Sequence, residues 1–256
     1  MKLQDKIQEA TKQKGILLMT HIVLGYPSLT INRAVISQMV DNGVDLIEMQ
    51  IPFSEPMADG PVIVKANQDS LANGTRLADC LAFAQEMVET HKIPFLLMTY
   101  YNILFKYGLE KFCKKAAEIG IKGFIVPDLP PEEGGEYLKY CRQYGLAPIL
   151  IYAPTSTPER MRELAGYGDG FIYCVARRGV TGTQTTFDRS FDEYIAQCRA
   201  STDLPLAVGF GITNKNDVAA IEGKADIAVI GSETIRIVDT KGAEAVGPFI
   251  AGLRSR

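Results

Sequence analysis

Glu48 stands inside an otherwise apolar run, Leu46-Ile47-Glu48-Met49-Gln50-Ile51, and there the sequence first offers chemistry. A carboxyl group in such a run must be paired, hydrogen-bonded or put to use, because burying a lone charge is costly. Strand alternation places Leu46, Glu48 and Gln50 on one face and Ile47, Met49 and Ile51 on the other. With the second set against helices, Glu48 points into an interior shared by several strands. A second carboxylate, Asp59, comes near the end of the loop Pro52-Phe53-Ser54-Glu55-Pro56-Met57-Ala58-Asp59-Gly60. Two carboxylates in different surroundings suit general acid–base work. The structural alternatives are a Glu48 salt-bridged across the interior and an Asp59 that merely starts a helix before Pro61.

Three glycine groups come late in the chain: Gly179-Val180-Thr181-Gly182, Gly209-Phe210-Gly211 and Gly231-Ser232. Each follows a predicted strand. Glycine lets backbone N–H groups approach an anion closely, and a helix opening at Ser232 adds its positive end. Together they point to phosphate binding, although any one of them could simply end a strand. Gly209-Phe210-Gly211-Ile212-Thr213-Asn214 lacks the third glycine of a dinucleotide fingerprint, so that reading is rejected.

The elements that must position these residues alternate strictly. Strands are predicted at 16–23, 45–51, 94–98, 123–126, 147–152, 170–175, 205–208 and 225–230. A helix capped by Ser28 follows the first, with Ile31, Ala34, Val35 and Met39 on one face. Helical material runs to Val88 after the second, and further helices fall at 109–117, through Tyr137 and Cys141, at 157–164, at 191–198 and at 216–221. A closing helix carries Val246, Phe249, Ile250 and Leu253, and an extra N-terminal helix with Leu3 and Ile7 is expected to cover the bottom. Eight βα repeats in about 250 residues make the (β/α)8 TIM barrel pattern, read here as one domain over 1–256. An open doubly wound sheet is the competing arrangement. In the barrel, Glu48, Asp59 and the glycines all fall at the C-terminal mouth.

Composition restricts the partners. The 256 residues carry 27 Lys plus Arg against 30 Asp plus Glu, a formal charge of −3, which argues against electrostatic nucleic-acid binding. No apolar run approaches a membrane span, and the polar stretch from Met1 to Lys14 does not resemble a signal peptide, so a cytoplasmic protein is expected. Cys80, Cys113, Cys141, Cys174 and Cys198 are widely spaced without any CxxC, which suits buried thiols in a reducing compartment. With only His21 and His91, a histidine-rich metal site has almost no material. Lys14, Lys92, Lys122 and Lys224 precede strands, at the wrong end for a Schiff base, and no carboxylate cluster resembles a Mg²⁺ site. The inventory points to cofactor-independent proton transfer on a small phosphorylated molecule.

Glu48 to Gly60, with Pro52-Phe53-Ser54-Glu55-Pro56 and Ala58-Asp59-Gly60-Pro61, closely resembles the signature of the tryptophan synthase alpha chain family. Leu24-Gly25-Tyr26-Pro27, Met98 to Asn102, Val126-Pro127-Asp128-Leu129-Pro130, Tyr173 through Gly182, Gly209-Phe210-Gly211-Ile212 and Gly231-Ser232 extend the match in order along the chain. The resemblance implies a (β/α)8 lyase that cleaves indole-3-glycerol phosphate to indole and glyceraldehyde 3-phosphate. It implies a beta-chain partner in an alpha2beta2 complex, with pyridoxal phosphate in the beta chain and no cofactor in this one. By position, Glu48 would carry the proton transfers and Asp59 would hold the indole N–H. Tyr100 and Ile125 would line the indole pocket, with Tyr173 near Glu48. Thr181 would bond Asp59 when the lid over 179–186 closes, and Gly182, Gly211, Gly231 and Ser232 would hold the phosphate. The beta contact would involve the loop from Pro52 to Ala58, the turn from Asp128 to Pro130, and the lid.

This sequence departs from the family pattern at four positions. Gln50 replaces a usual glycine and is expected to crowd the indole pocket or hydrogen-bond Glu48. His21 stands where an aromatic residue is common, Tyr26 replaces a frequent Asp, and Glu233 sits beside the phosphate glycines, where it repels a dianion unless it points outward. Two readings stay open: an active alpha chain, and a weakly active or inactive one that mainly binds and activates the beta chain. Another phosphate-binding barrel, such as an isomerase of the same pathway, fits the glycines but not Glu48 to Gly60.

Overall fold

The computed structural model describes residues 1–175, 189–209 and 211–254. In chain order these form α1 (Leu3–Lys14), β1 (Leu17–Val23), α2 (Leu29–Asp41), β2 (Leu46–Gln50), α3 (Pro61–Ala72) and α4 (Leu77–Thr90). Then come β3 (Phe95–Met98), α5 (Tyr101–Tyr107), α6 (Leu109–Ile119), β4 (Gly123–Ile125), α7 (Gly135–Tyr144), β5 (Ala147–Tyr152) and α8 (Pro158–Tyr167). The chain closes with β6 (Ile172–Val175), α9 (Arg189–Ala200), β7 (Leu206–Gly209), α10 (Lys215–Ile221), β8 (Ile227–Ile230), α11 (Ser232–Lys241) and α12 (Val246–Ala251). The strands are parallel and close in sequence order, β1 through β8 and back to β1, so the open-sheet alternative is excluded.

Strands β1 to β4, β7 and β8 are buried on both faces, β5 and β6 only in part, and the strands divide their side chains between two cores. Ile47 and Met49 of β2, with Leu18, Ile22, Leu97 and Phe124 of its neighbours, face the helices. Met19, Leu46, Leu96, Ile125, Ile149, Ala207, Ile227 and Val229 fill the barrel interior. Leu3 and Ile7 of α1 join this inner cluster and close the bottom, as expected. Gly170 has a φ of +81°, and a Cβ there would lie 2.9 Å from Leu3 Cδ2, so this position makes room for the plug. That turn is why β6 starts at Ile172 and not at 170.

Other boundaries also differ from the periodic pattern. The helical material after β2 is two helices, α3 and α4, because the chain turns through Gly74, whose φ is +84°. A short helix, α5, precedes α6 and ends at Gly108 with a φ of +92°. Ser28 caps α2 as predicted, accepting from the Ile31 N–H at 3.2 Å. The buried face of α2 includes Asn32 and Ile36, whereas Ile31 and Ala34 are only half-buried. Asn32 is inside because its side chain accepts from Gly25 N–H at 2.7 Å and donates to the Tyr26 carbonyl at 2.8 Å, tying the β1 loop to α2. The five thiols are buried and free. No described helix is long and apolar enough to cross a membrane, and among the described residues no cluster of His, Cys, Asp or Glu is placed to hold a metal.

Candidate active site

At the upper end of the barrel interior the apolar layers give way to polar ones. His21 on β1 stands beside Glu48 on β2, which in turn stands beside Leu96 on β3. Glu48 is therefore on the inner face, as alternation predicts, and is only 3% exposed. Its Oε1 lies 3.3 Å from His21 Nδ1, while Oε2 is buried without a hydrogen-bond partner among the described residues. The structural pairing is thus real, but it is with the adjacent strand and satisfies only one oxygen.

Asp59 does not start a helix. Gly60 occupies the N-cap of α3 and Pro61 its first turn, which leaves Asp59 to turn inward. Its Oδ2 accepts from the Gln50 amide at 2.7 Å and from the Tyr100 hydroxyl at 2.9 Å. Burial pushes the Asp59 carboxyl up, and the neighbouring His21, Gln50 and Tyr100 pull it back part of the way. Gln50 therefore bonds Asp59, not Glu48, in contrast to the sequence expectation. Geometry explains the choice: Gln50 is two residues further up β2, level with the returning loop.

Tyr100 holds that loop in place. Its hydroxyl accepts from the Ala58 N–H at 3.1 Å while donating to Asp59, and its ring stacks on Phe53 at 5.0 Å. Burial, followed by the Asp59 charge, pushes the phenol up, so it remains a donor. Asn67 of α3 accepts from the Phe53 N–H at 2.9 Å and fixes the other side of the loop. Sequence reasoning missed Phe53 and Asn67 as supports; the buried amide in the otherwise amphipathic α3 was the available signal.

Tyr173 projects inward from β6 and Ile125 from β4. Burial raises the Tyr173 phenol well above its ordinary range, with further contributions from Glu48 and Asp59. Gly209 lies under this ring: a Cβ there would sit 2.5 Å from Tyr173 Cε1. Its glycine is needed for that contact, a role distinct from anion binding. Gly211 has a φ of +91°, and Gly231 immediately precedes α11, whose first residue is Ser232. Arg236 donates to Glu233 Oε2 at 3.1 Å and approaches Ser232 Oγ at 3.4 Å. Glu233 is therefore charge-paired, and the arginine brings a cation beside the helix start, which the sequence reading had not singled out. Thr181, Gly182 and the predicted lid fall outside the described residues.

The closed (β/α)8 fold, with two buried carboxylates toward its C-terminal mouth, defines the class of barrel proteins whose sites form at that end. The family model described as tryptophan synthase alpha chain matches residues 7–247. The tryptophan synthase alpha chain of Desulfotalea psychrophila is 68% identical over 254 residues, covering 99% of this chain and all of the relative. That of Syntrophotalea carbinolica is 56% identical, covering 98% and 100%. The solved tryptophan synthase of Mycobacterium tuberculosis superposes with a TM-score of 0.92 at 29% identity, covering 98% of this chain and 96% of the solved one. The chain belongs to the tryptophan synthase alpha chain family. It is a lyase that acts on indole-3-glycerol phosphate, the alpha subunit in tryptophan biosynthesis.

Proposed function

We propose that Glu48 and Asp59 together perform a retro-aldol cleavage, releasing indole and glyceraldehyde 3-phosphate. The observation that carries this reading is the burial of both carboxylates at the upper end of the barrel interior in unlike environments. Glu48 keeps one oxygen without a partner among the described residues, while Asp59 is held by two donors on a single oxygen. Glu48 protonates indole C3 and takes the proton of the C3′ hydroxyl. Asp59 accepts the indole N–H and stabilises the positive charge that develops on the ring. Ile125 and Tyr173 border the indole, and Tyr100 acts by holding Asp59. Gly211, Gly231 and Ser232 bind the phosphate through backbone N–H groups and the start of α11, with Gly182 and Thr181 contributing from the segment after β6.

The family implies a beta-chain partner. We infer an alpha2beta2 assembly in the cytoplasm, in which the beta chain holds pyridoxal phosphate and this chain, one domain over 1–256, holds no cofactor. Met57 in the β2 loop and Phe105 on α5 are exposed apolar residues near the mouth, and Asp128 caps α5 by accepting from the Tyr101 N–H at 2.9 Å. That surface suits the docking loops from Pro52 to Ala58 and Asp128 to Pro130. Glyceraldehyde 3-phosphate release from indole-3-glycerol phosphate, measured with the chain alone and with its beta chain, tests the reading. Release that rises with the beta chain is expected. Complex formation without release would instead support the non-catalytic partner reading.

A further inference from the structure

His21 Nδ1 and Glu48 Oε1 meet at 3.3 Å across the β1–β2 register, with both side chains buried. Each keeps a second buried polar atom, His21 Nε2 and Glu48 Oε2, without a hydrogen-bond partner among the described residues. Resting on the reading of Glu48 as proton carrier, we propose that His21 is a positioning and proton-storing residue, so that the His21–Glu48 pair, holding one proton, drives the cleavage.

The argument is a proton count. The reaction needs a proton delivered to indole C3 and another removed from the C3′ hydroxyl. A lone carboxyl group must begin protonated for the first step and be ionised for the second. A pair holding one proton begins as imidazolium beside carboxylate. Its proton passes through Glu48 to C3, leaving neutral His21 beside the Glu48 carboxylate. Glu48 then accepts the C3′ hydroxyl proton as the C3–C3′ bond breaks. The bonding pair returns to the indole ring, C3′–O becomes a carbonyl, and the accepted proton passes back to His21. The pair ends as it began, with no further co-reactant.

The surroundings favour that starting state. Burial opposes the imidazolium, but Glu48 on β2 and Asp59 in the following loop outweigh it, and His21 is held above the ordinary histidine value. Gln50 also faces it, and Tyr173 from β6 faces both carboxylates. The Thr234 hydroxyl of α11, 2.7 Å from the Gly231 carbonyl and 3.2 Å from the His21 carbonyl, lies against the backbone behind the ring.

With His21 and His91 the only histidines, imidazole NMR resolves the first directly once His91→Asn assigns the second. The experiment titrates His21 in the parent and in Glu48→Gln. It also records kcat against pH for indole-3-glycerol phosphate cleavage in the complex with the beta chain, for the parent, His21→Phe and His21→Asn. His21 is expected to titrate about one pH unit lower in Glu48→Gln. The alkaline fall in parent turnover is expected to track His21 deprotonation and to move to lower pH in both histidine variants, where only the carboxyl group is left to hold the starting proton, with turnover at pH 8 down about 10-fold. An unchanged His21 titration, or an alkaline limb that stays at the parent's pH in the variants, overturns the pair while leaving Glu48 as sole carrier. If Glu48→Gln itself retains turnover, the underlying reading fails instead. Should His21→Phe not fold, His21→Asn carries the test, since its amide keeps a donor toward Glu48 but no proton to give.

Discussion

The Gln50 amide donates to Asp59 Oδ2 at 2.7 Å, on the same oxygen that receives the Tyr100 hydroxyl at 2.9 Å. The two donors come from β2 and from the end of β3, and together they hold the carboxylate against both strands. Gln50 is therefore a support of the site and not an obstruction. Gln50→Gly is expected to lower kcat about 10-fold, and to destabilise the chain by about 1 kcal/mol from the glycine in β2 alone. Steady-state kinetics and urea unfolding check both. A large gain in turnover would show instead that the side chain crowds the pocket.

Asp59 bears a cost of burial. Its native carboxyl is raised above the unfolded value, so the folded state holds that proton more tightly than the unfolded one. The destabilisation from the ionised group is absent below the unfolded value, grows between the unfolded and native values, and is complete above the native one. Asp59→Asn is thus expected to be at least as stable as the parent at pH 7, with the difference shrinking as pH falls and gone below about pH 4. Turnover is expected to fall about 100-fold. Chemical denaturation at the two pH values checks the sign, and a variant less stable at pH 7 than at pH 4 relative to the parent would refute it.

Gly209 and Tyr173 are a steric pair across β6 and β7. A methyl group at 209 would lie 2.5 Å from Tyr173 Cε1 and 2.6 Å from its hydroxyl oxygen, so the ring must move. Gly209→Ala is expected to cost about 1–3 kcal/mol and to reduce turnover by displacing Tyr173 from the carboxylates. Equilibrium unfolding with tyrosine near-UV dichroism reads both effects. An unchanged midpoint and spectrum would mean that the ring relaxes freely.

The barrel and the inward direction of Glu48 were legible because period-2 alternation in parallel strands admits few alternatives. The Ser28 cap was legible for a similar reason: a local hydrogen bond leaves a local signature. What escaped was set by long-range geometry. The partner of Gln50 depends on how far the loop after β2 folds back, and nothing in residues 46–51 records that distance. The reason for glycine at 209 lies on a different strand, in Tyr173. The pairing of Glu233 with Arg236 follows helical i,i+3 spacing and is legible in the sequence. The Gly74 break between α3 and α4 was equally visible as a glycine inside a helical pattern.

The most direct test of the account is kcat for indole-3-glycerol phosphate cleavage by Glu48→Gln in complex with the beta chain. Glutamine preserves the size of the side chain and its bond from His21, and it removes only the capacity to carry a proton. The account predicts a loss of at least about 100-fold in kcat with little change in KM and an intact fold. Turnover within a few-fold of the parent would contradict it and place the proton transfers on another group.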